Sequence, residues 1–171
     1  IRDSSYAMNL GNLLNGPADK VALVDLSDAG RSYTYEELAT AIHYLHSDPQ
    51  HAARLEAIEL RFSGRQASGQ RPLDIRVPQL VVRAGQGFEP ILAFNPTDFD
   101  RTTMITLYDS KMALRGVHCE LDLPYPVDQW SLFSLQGVSQ LTLQDSTLTM
   151  RNSDRGRHSF YENAVCFHMA P

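Results

Sequence analysis

A stretch of ten residues, Met112 to Leu121, reappears 29 positions later as Leu141 to Met150. The apolar positions keep their parity: Met112 falls on Leu141, Leu114 on Leu143, Cys119 on Leu148 and Leu121 on Met150. The segment before it repeats too, with Met104 to Leu107 answering Leu132 to Leu135 ahead of a small polar turn. An earlier copy is visible in Leu80, Val82 and Arg83, which match Met112, Leu114 and Arg115 at an offset of 32. A period of this size, built from short alternating segments, is the signature of a solenoid: one circuit of chain cannot bury its apolar face until the next one stacks on it.

Alternation runs through most of the chain from residue 57. Ile58, Leu60 and Phe62 share one face of a segment that Ser63-Gly64 closes. Further alternations follow at Ile75/Val77, Ile91 to Phe94, Val117 to Leu123 and Val165/Phe167/Met169. Each is short, as expected of half-buried strands. Stacked circuits of such strands form a right-handed parallel β-helix, here of about four short coils at this period. A β-sandwich or irregular β-roll is the alternative, but sandwiches favour longer antiparallel strands joined by Asn-Gly or Asp-Gly turns. Neither dipeptide occurs from residue 57 onward.

The first 46 residues read differently. Lys20 to Asp25 is a short apolar run suited to a buried strand, and Asp28 to Gly30 is a turn. Thr34 and Glu37 form a capping box, and Leu38, Ile42 and Leu45 fall on one helical face, which predicts a helix from Tyr35 to His46. Asp48-Pro49 offers a second helix start, with a short helix expected through Arg54. The expected organisation is therefore an α/β capping segment over residues 1–46 and β-helix repeats over 47–171. The segment's role would be to cover the open end of the first coil, whose unpaired N–H and C=O groups invite association. No cap is evident after Met169, so the repeats read as truncated and as part of a longer parent chain.

Two resemblances accompany these readings. The run Trp130 to Phe133, followed by Leu141 to Arg151, resembles the pectate-lyase-like β-helix repeat domains of large bacterial proteins, and the likeness extends over about residues 55–171. It implies a fold and a carbohydrate-facing surface in some members, but no single activity. The stretches Met8 to Leu14, Asp19 to Val24 and Arg31 to Leu38 resemble the opening of the adenylate-forming superfamily of acyl-CoA ligases and synthetases. That family's Ser/Thr/Gly-rich ATP loop ending in Pro-Lys is absent, so no catalytic residue carries over.

A net charge of −5 opposes binding to nucleic acid or anionic membrane surfaces. The positive charge is almost all arginine, with Lys20 and Lys111 the two lysines. Arg151, Arg155 and Arg157 make a loose cluster that reads as a solvated loop. Cys119 and Cys166 lack CxxC spacing and read as core residues, and His43 and His46 lack acidic partners at metal spacing. No cofactor is expected. No apolar run approaches the ~18–20 residues of a membrane span, and no leader signature is present, so the chain reads as soluble with its compartment open.

One outward ladder carries the candidate chemistry. With Leu114, Cys119 and Leu121 inward, His118, Glu120 and Asp122 face outward, and stacking places Asp122 beside Arg151 and Glu120 beside Thr149. Polysaccharide-cleaving β-helices use such faces for acid/base work, so Arg115, His118, Glu120, Asp122 and Arg151 are the candidate binding residues. Trp130 could stack on a sugar, though packing is the better reading. The favoured function is a non-catalytic solenoid segment, a spacer or a surface for another protein. The alternatives are a carbohydrate-active β-helix that takes a polysaccharide, and a vestigial adenylate-forming fragment.

Overall fold

The computed structural model describes residues 21–25, 38–47, 49–67, 71–96, 101–123, 129–152 and 163–169. The capping box Thr34/Glu37, the turn at Asp28 to Gly30, the helix start at Asp48 and the cluster members Arg155 and Arg157 lie outside these residues, as do most residues of the adenylate-forming resemblance.

The short apolar alternations become strands. They are β1 (Val21–Val24), β2 (Ala57–Leu60), β3 (Gly64–Ala67), β4 (Leu73–Ile75), β5 (Gln79–Ala84), β6 (Pro90–Phe94) and β7 (Thr103–Tyr108). Then come β8 (Lys111–Arg115), β9 (His118–Leu123), β10 (Gln129–Gln136), β11 (Gln140–Gln144), β12 (Leu148–Asn152) and β13 (Asn163–Met169). Helix α1 spans Leu38–Ser47 and α2 spans Pro49–Ala52, so the second helix stops short of Arg54.

All strand pairs are parallel, and the strands fall into three sheets. The first sheet has the order β1-β2-β5-β8-β11, the second β12-β9-β6-β3 and the third β13-β10-β7-β4. From β2 onward the chain adds one strand to each sheet in turn, which is compatible with a β-helix-like fold. The registers follow the sequence repeat. Met112 pairs with Leu141 and Leu114 with Leu143, Cys119 with Leu148 and Leu121 with Met150, and Leu80 with Met112 and Val82 with Leu114. Parallel strands leave identical side-chain parity in neighbouring strands, so a residue shift that preserves parity also preserves the buried face.

One hydrophobic cluster joins all three sheets and α1. It takes Leu60, Val82 and Leu114 from the first sheet, Leu92, Cys119 and Leu121 from the second, and Ile75, Leu107 and Phe133 from the third. Helix α1 contributes Leu38, Ala41, Ile42 and Leu45, the face predicted from its spacing. The imidazole Nε2 of His46, near the end of α1, accepts a hydrogen bond of 3.1 Å from the backbone N–H of Arg76 just after β4. The helix is thereby fastened to the first circuit of strands.

The third sheet departs from the simple alternation. Ile105, Leu107 and Phe133 are buried, and so are Met104, Thr106, Leu132, Ser134 and Trp130 on the opposite parity. Trp130 is thus a packing residue. Cys119 is fully inside, and burial pushes its thiol up to about 12; Cys166, expected in the core, is only half-buried, with its thiol raised by the same cause.

The turns between sheets also stack. Asp109 and Gly137 occupy equivalent corners with φ of 47° and 65°, and Gly116 and Asp145 another pair with φ of 64° and 50°. Backbone bonds from Asp109 N to Gln136 O and from Gly116 N to Gln144 O link successive corners. Only glycine, and to a lesser degree Asp or Asn, enters this left-handed region cheaply. Serine hydroxyls complete the corners: Ser110 Oγ donates to Val77 O, Ser139 Oγ to Leu107 O and Ser146 Oγ to Leu114 O. Each ties its turn to a carbonyl of the preceding strand segment.

Candidate functional site

Strand β9 lies between β6 and β12 and sets the register of the candidate residues: Glu120 is level with Ala93 and Thr149, and Asp122 with Arg151. Both lateral placements agree with the ladder read from sequence. The side chains then make different partners. Arg151 lies beside Asp122 in register, but its Nε is 2.6 Å from Oε1 of Glu120. Arg65 reaches across from β3, where Nε donates to Oε2 of Glu120 at 2.9 Å and Nη2 lies 3.6 Å from Oδ2 of Asp122. On the intervening β6 Arg65 is level with Ile91 and Glu120 with Ala93, so the long side chain crosses that strand on the diagonal.

Glu120 was expected on a solvated face, yet it is only 4% exposed. The two guanidinium groups account for this, since they cover the carboxylate while keeping their own side chains 49% and 61% exposed. A carboxylate removed from water is costly unless its charge and lone pairs are met. Here one arginine faces each oxygen, and the two acids and two arginines balance. His118, two residues along the same face, is 2.7 Å through Nδ1 from Thr147 Oγ1. Arg115 is not part of this group: it lies on β8 in the first sheet, level with Arg83 and Gln144. Sequence reasoning missed Arg65, which lies 55 positions from Glu120 in a strand without apolar alternation.

Among the described residues, a similar arrangement occurs on each of the other two sheets. Glu59 on β2 accepts from Arg61 Nε at 2.9 Å and from Arg83 Nη2 at 2.9 Å, and Arg83 lies on the neighbouring β5. Burial alone would raise the Glu59 carboxyl, but the hydrogen bonds and charges of Arg61 and Arg83 outweigh it and hold it below its ordinary value. Asp74 on β4 accepts from Arg101 Nη2 at 2.9 Å and has Arg76 Nη2 at 3.6 Å; Arg76 also lies over the Tyr108 ring, 4.2 Å from its centroid. Each sheet therefore holds one acid between two arginines, and each clamp crosses between circuits. A planar guanidinium with several fixed donors suits this task better than a lysine ammonium, which fits the scarcity of lysine.

Chemically, the Glu120 group is poorly placed for acid/base work. A general acid or base needs an oxygen within reach of a reacting group and free to exchange a proton, and both oxygens of Glu120 face arginine. Among the described residues no group of three His, Cys, Asp or Glu side chains gathers to hold a metal ion, and no helix is long and apolar enough to cross a membrane. No family model, no curated protein and no solved structure matches the chain.

Proposed function

We propose that the three sheets close into a right-handed parallel β-helix, and that the chain is a non-catalytic solenoid segment serving as a spacer or an interaction surface within a larger assembly. The observation that carries this reading is the use of Glu59, Asp74 and Glu120 as ties between circuits, one per sheet, each held by two arginines. Acids spent on holding neighbouring strands together are not available to a substrate. The repeat of register at 27 to 32 positions in β7, β8, β9 and their neighbours supports the likeness to pectate-lyase-like β-helix domains in architecture. In this reading residues 1–46 contribute the cap and residues 47–171 the repeats.

The test separates a tie from a catalyst. Glu120→Gln keeps the shape of the side chain and removes its charge. As a tie it should lower stability by about 1–2 kcal/mol, less than the loss of a fully buried pair because both arginines remain in water. Urea melts would measure this. Incubation of the parent chain with polygalacturonate and other acidic glycans should release no product. Cleavage by the parent that disappears in Glu120→Gln would replace the spacer reading with the carbohydrate-active one.

A further inference from the structure

Among the described residues four arginines lie within strands, and acids engage three of them: Arg65 and Arg151 hold Glu120, and Arg83 holds Glu59. Arg115, on β8, is the exception. It is exposed, and neither it nor Lys111 on the same strand has an ion pair or hydrogen bond among the described residues. Its neighbours in register are Arg83 and Gln144, and Arg83 directs its guanidinium the other way, onto Glu59. Like charges side by side on a sheet oppose folding, so the sheet itself gains nothing from a second arginine at this level.

The surroundings of these two cations have a definite relief. Met112 and Leu114 of β8 are buried, so Lys111, Ala113 and Arg115 line the outer face of the strand. Ala113 lies in register between Val81 and Thr142, which makes a central column of short side chains along the stack. Long side chains flank it, with Gln79, Lys111 and Gln140 on one side and Arg83, Arg115 and Gln144 on the other. Val81 and Ala113 are half-buried while Gln79, Lys111 and Arg115 stand exposed, as a trough with a short-chain floor requires. Lys111 and Arg115 face each other across it, separated by about 13 Å of extended strand. The trough is a sheet face and not a strand edge, so further circuits would lengthen it without covering it.

We propose that this trough docks an extended acidic segment of a partner protein, with two consecutive acidic residues reaching Lys111 and Arg115. This deepens the interaction-surface reading given above, on which it rests, and needs only the register of the first sheet. In an extended peptide successive side chains point to opposite sides, so a chain laid along the short-chain floor sends one carboxylate to Arg115 and the next to Lys111. A guanidinium offers such a carboxylate two parallel N–H donors. The flanking glutamine amides each carry donors and an acceptor, which suits a peptide backbone. A uniformly charged polymer fits less well. The two unpaired cations lie across the trough and not along it, Glu59 stands in the same row as Arg115, and the net charge of −5 repels a long polyanion. A short acidic segment meets mainly the local field, because charges beyond about 8 Å are screened at physiological salt.

The probe is a fluorescently labelled, end-blocked peptide with a central Asp-Glu pair between short neutral residues, titrated with the full chain at low salt. Its anisotropy should rise to saturation, and Arg115→Gln and Lys111→Gln should each weaken binding about threefold, as for exposed charge pairs. An Asp-Thr-Glu peptide sets both acids on one wall and should lose as much as either substitution. Arg115→Glu should reject the acidic peptide and take a Lys-Glu peptide in its place, an exchange that a structural role would not produce. Because Arg115 has no internal partner, Arg115→Gln should leave the midpoint of urea unfolding unchanged or raise it. No binding by the parent, binding unmoved by either substitution, equal binding of the Asp-Thr-Glu peptide, or a lowered urea midpoint in Arg115→Gln overturns the docking site. Tighter binding of polygalacturonate or single-stranded DNA that is lost in Arg115→Gln also overturns it, by assigning the trough to a polyanion. Each of these outcomes is separate from the Glu120→Gln test above, in which glycan cleavage is the result that removes the non-catalytic reading.

Discussion

Among the described residues, the first and last strands of the sheets are of the same kind but are covered differently. Beside β1 and β2, helix α1 lays Leu38, Ala41, Ile42 and Leu45 into the common core, and Ile58 and Leu60 have no exposure at all. At β11 to β13 the equivalent apolar positions stay open, with Leu143 38%, Phe167 45% and Met169 79% exposed. The residue pattern of a strand in this fold therefore does not decide whether it is buried; the presence of a further layer does. A helix ends the stack at one side by offering side chains without offering a strand edge.

The comparison can be broken most directly at Ile42. Ile42→Ala should cost about 2–4 kcal/mol in urea unfolding, because it opens a cavity where helix and sheets meet. A cost below that of an ordinary surface change would mean that α1 does not seal this end. Phe167, which stacks on Phe133 at 6.2 Å between ring centroids, should lose only about 1 kcal/mol on change to Ala, since its other face is in water. A loss equal to that at Ile42 would show the two ends to be equally covered.

A smaller effect concerns pH. Burial first, then the charges of His43 and Arg76, push the His46 imidazole below its ordinary 6.5, with Asp74 opposing them. The neutral ring accepts the Arg76 N–H, so the unfolded chain binds the proton more readily than the folded one. Its contribution is complete above pH 6.5 and fades as pH falls through the lowered folded value. Melts across this range should show a shallow loss that His46→Ala removes. The Glu59 clamp fails later, below 4.5, by the same sign. Smallest of all, Met169→Ala should change stability by less than ~0.5 kcal/mol, and a larger loss would argue against its exposure.

How much of this was readable beforehand depended on whether the information was local. The pairings of β8 with β11 and of β9 with β12 could be read because Met112, Leu114, Cys119 and Leu121 recur with unchanged parity. The buried face of α1 followed from the spacing of Leu38, Ile42 and Leu45. Strand β3 could not be read, since Gly64-Arg65-Gln66-Ala67 has no apolar alternation and is a strand because β6 pairs with it. The partners of Glu120 were half legible: register brought Arg151 near, but side-chain length decided that Arg65 would reach Glu120 from two strands away. Ser134 and Thr106 look solvent-facing by composition and are buried, because the cover over that side of the third sheet is a tertiary matter.

One corner has a further consequence. A side chain at Gly137 would run into the Asp109 carboxylate, whose Oδ1 accepts the Val138 N–H at 3.1 Å. Glycine at the second level leaves the Asp109 carboxylate in this position and takes the left-handed φ of 65° without strain. The neighbouring corner shows the reverse sequence, Gly116 below and Asp145 above. Copying a single circuit in tandem would set aspartate over aspartate or glycine over glycine, in the first case crowding two carboxylates and in the second losing the bridging acceptor. At this pair of levels, then, one circuit is not interchangeable with the next.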